Sequence, residues 1–216
     1  MTPLILALDT THEYGSLALA RGAEVLEEEL LHEPNGFSRV LYGRLESLLA
    51  RHAVRPAAID CFAAASGPGS FTGVRVGLAC IKGLAEALGK PAIGVSNLEA
   101  LARFGAAPLR AVLLDGRRGE IYGAVYDASG ALVSPEVVAR FDAWLATLPA
   151  GINEFISADF QPPLPAGATF VTAPRAIAAA VARIAAERMA RGDSGDPAAI
   201  DANYVRRSDA ELFWKD

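Results

Sequence analysis

Apolar residues open the chain from Leu4 up to Asp9, a polar turn occupies residues 10–15, a further apolar segment follows at 16–20, and a strand-like run at 25–31 comes after Arg21-Gly22. Short apolar runs broken by turn residues predict a β-meander. Between residues 37 and 51 the apolar positions are Phe37, Leu41, Leu45, Leu48 and Leu49, while Arg39, Glu46, Ser47 and Arg51 point elsewhere. That spacing predicts an amphipathic helix. Residues 59–65 read as a buried strand, 66–73 as a glycine-rich turn, 71–88 as a helix and 91–95 as a short strand, which completes an α/β unit. A helix over 97–104 and the loop Gly105-Ala106-Ala107-Pro108 precede a second meander, with strands at 109–115, 120–126 and 131–138 around a turn at 116–119. Leu6-Ala7-Leu8-Asp9 and Val112-Leu113-Leu114-Asp115 are alike, each an apolar strand ending in aspartate before a polar turn. Two copies of one unit are therefore expected, a lobe over 1–104 and an abbreviated one over 105–216. The second becomes irregular and proline-rich at 161–165 before an alanine-rich helix over 175–191.

Composition narrows the function. The 216 residues are 52% hydrophobic and 21% charged, and no apolar run approaches the roughly 18 residues of a membrane span. No basic segment precedes the first apolar residues, so no signal peptide is expected. Cys61 and Cys80 lie in apolar runs, which predicts reduced, buried thiols and a cytoplasmic protein. A net charge of −5 argues against the chain holding RNA by itself, because that affinity rests on clustered Lys and Arg. His12, His32 and His52 form no helical ligand pair, and no metal site or cofactor is expected.

The two strand-Asp-turn segments, Asp9-Thr10-Thr11 and Asp115-Gly116-Arg117, have two readings. Their hydroxyls and backbone N–H groups can cradle a nucleotide phosphate, as in actin-type ATPases. Alternatively, the short side chains satisfy turn geometry. The candidate cleft set is Asp9, Thr10, Thr11, Asp115, Arg117 and Glu120, expected to join the lobes through turn hydrogen bonds and an Arg-to-carboxylate contact. The chain has no Gly-Gly dipeptide for an adenosine site, and Ser66-Gly67-Pro68-Gly69-Ser70-Phe71-Thr72-Gly73 is neither a Walker loop nor a nucleophile elbow. Ser70 or Thr72 reads as a helix cap, and no catalytic residue is expected.

Leu6-Ala7-Leu8-Asp9-Thr10-Thr11, the block from Gly67 to Gly77, Gly94-Val95-Ser96-Asn97-Leu98 and Leu114-Asp115-Gly116-Arg117-Arg118-Gly119-Glu120-Ile121-Tyr122 resemble the TsaB (YeaZ) family in order and spacing. Asn203-Tyr204-Val205-Arg206 resembles its closing Tyr-Leu-Arg segment. The resemblance implies an actin-like (RNase H-like) α/β fold with a shortened second lobe. It also implies a non-catalytic role in tRNA threonylcarbamoyladenosine formation, beside a catalytic TsaD-type subunit and a TsaE-type ATPase, with tRNA held through the complex. Many members carry a histidine where this chain reads Asn35-Gly36-Phe37-Ser38. The alternative is an enzyme, either a glycoprotease-like hydrolase or a small actin-fold kinase or ATPase.

The expected partner surface is the helix pair 37–51 and 71–88. The second helix has an apolar arc wider than one core contact needs. Gly73 and Gly77 either pack on the chain's own sheet or let another helix approach. With Tyr42, Leu49, Ile81 and Leu84 they form the candidate interface, for a TsaD-type subunit or for a homodimer. Arg117, Arg118, Arg206 and Arg207 are expected to lie together if the C-terminal segment returns to the second meander.

Overall fold

A computed structural model describes residues 2–206, and the chain divides into two compact units. The first comprises Met1–Ala100 and Arg175–Ala202. Its strands are β1 (Leu4–Asp9), β2 (Tyr14–Arg21), β3 (Glu24–His32), β4 (Cys61–Ala65) and β5 (Ala92–Val95), and its helices are α1 (Leu41–Arg51), α2 (Phe71–Leu88) and α3 (Asn97–Ala102, which runs on past the unit). The sheet order is β3-β2-β1-β4-β5, antiparallel within the meander and parallel from β1 to β4 and β5. Leu4, Leu6 and Leu8 share a core with Leu41, Leu45 and Leu48 of α1 and Val74, Leu78 and Ile81 of α2. All six residues of β1 are buried, so both of its faces are covered and its sequence is an unbroken apolar run rather than an alternating one.

The second unit comprises Leu101–Pro174 and Asn203–Asp216. Its strands are β6 (Leu109–Arg117), β7 (Glu120–Asp127), β8 (Leu132–Arg140), β9 (Glu154–Ser157) and β10 (Thr169–Thr172), with α4 (Phe141–Leu145) between β8 and β9. The order β10-β9-β6-β7-β8 repeats the first sheet, with β6 parallel to β9, β9 parallel to β10, and the meander antiparallel. The duplication is thus a duplication of topology. Its abbreviation is local: α4 has 5 residues where α1 has 11, and no helix joins β9 to β10 where α2, with 18, joins β4 to β5. Aromatic side chains fill the resulting space, with Phe141 edge-on to Phe155 and Trp144 buried between Phe141 and Gly123.

The last helix, α5 (Ala178–Ala190), does not belong to the unit suggested by its place in sequence. It covers the second face of the first sheet, against β1, β2 and β4. Residues 175–202 therefore depart from the expected division at residue 105. Ser16 and Glu28 of the first sheet bond to the N-terminal amides of α5, and Arg188 bonds to Gly94 O and Glu99. No helix among the described residues is long and apolar enough to cross a membrane.

Candidate functional site

The motif segments of the first unit meet at the end of β1. Asp9, Thr10 and Thr11 are buried, at 2%, 2% and 0% exposure. The Asp9 Oδ1 atom accepts from Thr11 N at 2.9 Å and from Thr11 Oγ1 at 2.7 Å. Thr11 Oγ1 also accepts from Asn97 Nδ2 at 2.7 Å and lies 2.9 Å from His12 Nδ1. Because the Thr11 hydroxyl donates to Asp9, its lone pairs are left to accept from Asn97 Nδ2 and from an N–H at His12 Nδ1. Asn97 in turn exchanges bonds with Gly67, accepting from Gly67 N through Oδ1 and donating from its own backbone N to Gly67 O, both at 2.9 Å.

The glycine-rich block is the other half of this knot. Ser70 N donates to Thr11 O at 2.6 Å, and the Ser70 hydroxyl caps α2 by accepting from Gly73 N. Thr10 Oγ1 donates to Gly73 O at 2.7 Å. A Cβ on Gly69 would stand 2.7 Å from Thr11 O, one on Gly73 2.1 Å from Thr10 O, and one on Gly77 2.6 Å from Thr10 Oγ1. The glycines thus let α2 descend onto the β1 turn. A phosphate cradle needs outward hydroxyls and N–H groups, whereas here both threonine hydroxyls and the Thr11 N–H point inward. In this geometry Asp9-Thr10-Thr11 staples α2 to the sheet.

The candidate interface needs correction on the same grounds. Gly73 and Gly77 face β1, and Ile81 is fully buried in the chain's own core, so these three do not present an outer surface. The wide apolar arc of α2 reflects a helix that meets β1, β4 and β5 together. Leu49 is 6% exposed, while Tyr42 is 62% exposed. Tyr42, Leu49 and Leu84 line a crevice of about 460 Å³ between α1 and α2, whose floor reaches Leu6 and Phe62. Gly43 and Gly83 face open space on the outer side of the two helices. Phe71, under the guanidinium of Arg75, is a further exposed aromatic, at the start of α2. Cys80 beside it in charge and partial burial push the Tyr42 phenol up, and burial pushes the Cys80 thiol up to about 11.

In the second unit the equivalent turn is exposed. Asp115 Oδ1 accepts from Arg117 N at 2.8 Å, and Gly116 forms a bulge after which Arg117 pairs with Glu120. Arg117, Arg118 and Gly119 have φ of 62°, 57° and 78°, so Arg118-Gly119 closes the hairpin with a left-handed two-residue loop. The Glu120 carboxylate takes Arg206, whose guanidinium also lies over Tyr122. The C-terminal segment therefore returns to the second meander at Arg206, and Arg207 lies outside the described residues. Among the described residues no group of three or more His, Cys, Asp or Glu is placed to hold a metal ion.

Residues 35–191 match the family model of TsaD, tRNA N6-adenosine threonylcarbamoyltransferase. The tRNA threonylcarbamoyladenosine biosynthesis protein TsaB of Bacillus subtilis is 34% identical over 149 residues, which cover 67% of this chain and 65% of that protein. TsaB of Escherichia coli is 34% identical over 148 residues, covering 62% and 64%. The chain thus spans just under two thirds of the length of these curated relatives. The solved structure of YeaZ from Pseudomonas aeruginosa superposes with a TM-score of 0.79 at 26% identity, over 94% of this chain and 99% of that one.

Proposed function

Since the chain belongs to the TsaB (YeaZ) family, we propose that it acts in tRNA threonylcarbamoyladenosine biosynthesis as a binding subunit. In this reading it supports a TsaD-type transferase, with a TsaE-type ATPase in the assembly and tRNA reached through the complex. The observation that carries it is the state of the Asp9 turn: the groups an ATPase would aim at phosphate are already spent, the Thr10 hydroxyl on Gly73 O of α2 and the Thr11 hydroxyl and N–H on Asp9. What the first unit offers outward instead is the α1–α2 face, with Tyr42 exposed at an apolar crevice and Phe71 exposed at the start of α2. An exposed aromatic at the rim of such a hollow suits recognition of a protein surface. A homodimer through the same face would compete with the transferase.

Reconstitution tests this reading. Threonylcarbamoyl transfer to tRNA by the transferase and ATPase should depend on adding this chain, and the chain alone should hydrolyse neither ATP nor peptide. Turnover by the isolated chain that disappears in Asp9→Ala would support a hydrolase or ATPase instead.

A further inference from the structure

The face of the second sheet turned away from its aromatic core carries a side-chain arrangement that the proposed function leaves unused. Glu120, Tyr122 and Tyr126 alternate along β7 with Ile121, Gly123 and Val125, so the two sets occupy opposite faces. Ile121 and Val125 belong to the core, and Trp144 packs on Gly123. Residues 203–206 lie against this face, at Glu136, Tyr126 and Glu120. Asn203 Nδ2 donates to Glu136 Oε2, while Tyr126 Oη donates to Glu136 Oε1 at 2.7 Å. Arg206 Nη2 donates to Glu120 Oε2, and its guanidinium carbon stands 5.6 Å from the centre of the Tyr122 ring. Both charged side chains are partly withdrawn from solvent, at 21% exposure for Arg206 and 38% for Glu120.

We propose that Glu120 and Tyr122 form a guanidinium-binding site which the chain's own Arg206 occupies, making residues 203–206 a latch that an arginine-bearing segment of another polypeptide can replace. The chemistry is selective. A carboxylate beside an aromatic face accepts a planar, delocalised cation that can bond in its plane and stack through its face, and a compact ammonium satisfies only the charge. Asn203 sets the spacing. Its amide reads Glu136 three residues before the arginine, so the sequence recognised is Asn-x-x-Arg along an extended strap. Tyr204, between them, is 47% exposed.

Vacating the site in the full-length chain tests the proposal. Arg206→Ala should unfold at a lower temperature than the wild type. The peptide acetyl-Asn-Tyr-Val-Arg-amide, at millimolar concentration, should raise that temperature in Arg206→Ala by more than in the wild type. The same peptide ending in lysine should do little, and Arg206→Ala/Glu120→Gln should not respond. Equal effects of the arginine and lysine peptides on Arg206→Ala, or equal effects on that variant and the double variant, would overturn the proposal. Should Arg206→Ala not fold, Glu120→Gln gives an independent readout through trypsin cleavage on the C-terminal side of Arg206, followed by mass spectrometry. Loss of the carboxylate should speed that cut several-fold, and an unchanged rate would overturn the proposal.

Discussion

The Ser16 hydroxyl in the middle of the first sheet accepts the backbone N–H of Ala178, 162 positions later, at 3.0 Å. The same oxygen takes Ile177 N at 3.1 Å, and Glu28 Oε1 takes Ala179 N at 2.8 Å. Helix α5 has no cap of its own at Ile177, so the strands supply one. Ser16 is fully buried, and its loss would leave two N–H groups without a partner or water.

Ser16→Ala is therefore expected to destabilise the protein by about 1–3 kcal/mol, the range for a lost buried cap and its orphaned donors. Chemical denaturation should show the drop in midpoint with the fold retained. A cost near zero would mean that α5 docks by apolar contact alone.

Two glycines of the same helix should respond in opposite directions. Gly73→Ala drives a methyl group into Thr10 O and should cost about 1–3 kcal/mol or more, as overpacking against backbone does. Gly83→Ala meets open space and should stabilise α2 by about 0.5–1 kcal/mol. If Gly73→Ala were neutral and only partner binding suffered, Gly73 would lie on an outer face after all.

Much of the fold was legible in the sequence. The bounds expected for α2, residues 71–88, match those observed, because Ser70 caps it and Gly89, in a left-handed conformation, ends it. Both meanders were readable from their turns. Helix α1 starts later than expected, at Leu41, because residues 37–39 form a tighter turn and Val40 breaks it. Strands β9 and β10, of four residues each, were too short to show a period. The placement of α5 was invisible because its cap is remote. The direction of Gly73 and Gly77 could not be read either, since a helix apolar over most of its circumference does not announce which arc meets the sheet. In the site, the glycine-rich block and the Asp9 turn were each found separately, but nothing in their spacing disclosed that they bond to one another.

The two thiols give a pH-dependent test. Burial pushes Cys61 up to about 12 and Cys80 to about 11, from an ordinary value of 9.0. A folded state that holds these protons more tightly keeps the full contribution below pH 9.0 and loses it as pH rises toward those values. Stability should therefore decline across that alkaline window. Iodoacetamide at pH 8 should label neither cysteine in the native protein and both after denaturation. Rapid native labelling at neutral pH would contradict the buried placement.

Whether the outer α1–α2 face binds the transferase is read by calorimetric titration of the TsaD-type subunit with this chain. Tyr42 is 62% exposed, so Tyr42→Asp should fold with the stability of the wild type. This variant should bind at least tenfold more weakly, about 1.4 kcal/mol, as expected for an aromatic anchor at an interface. A folded Tyr42→Asp chain that binds the transferase with wild-type affinity would contradict it.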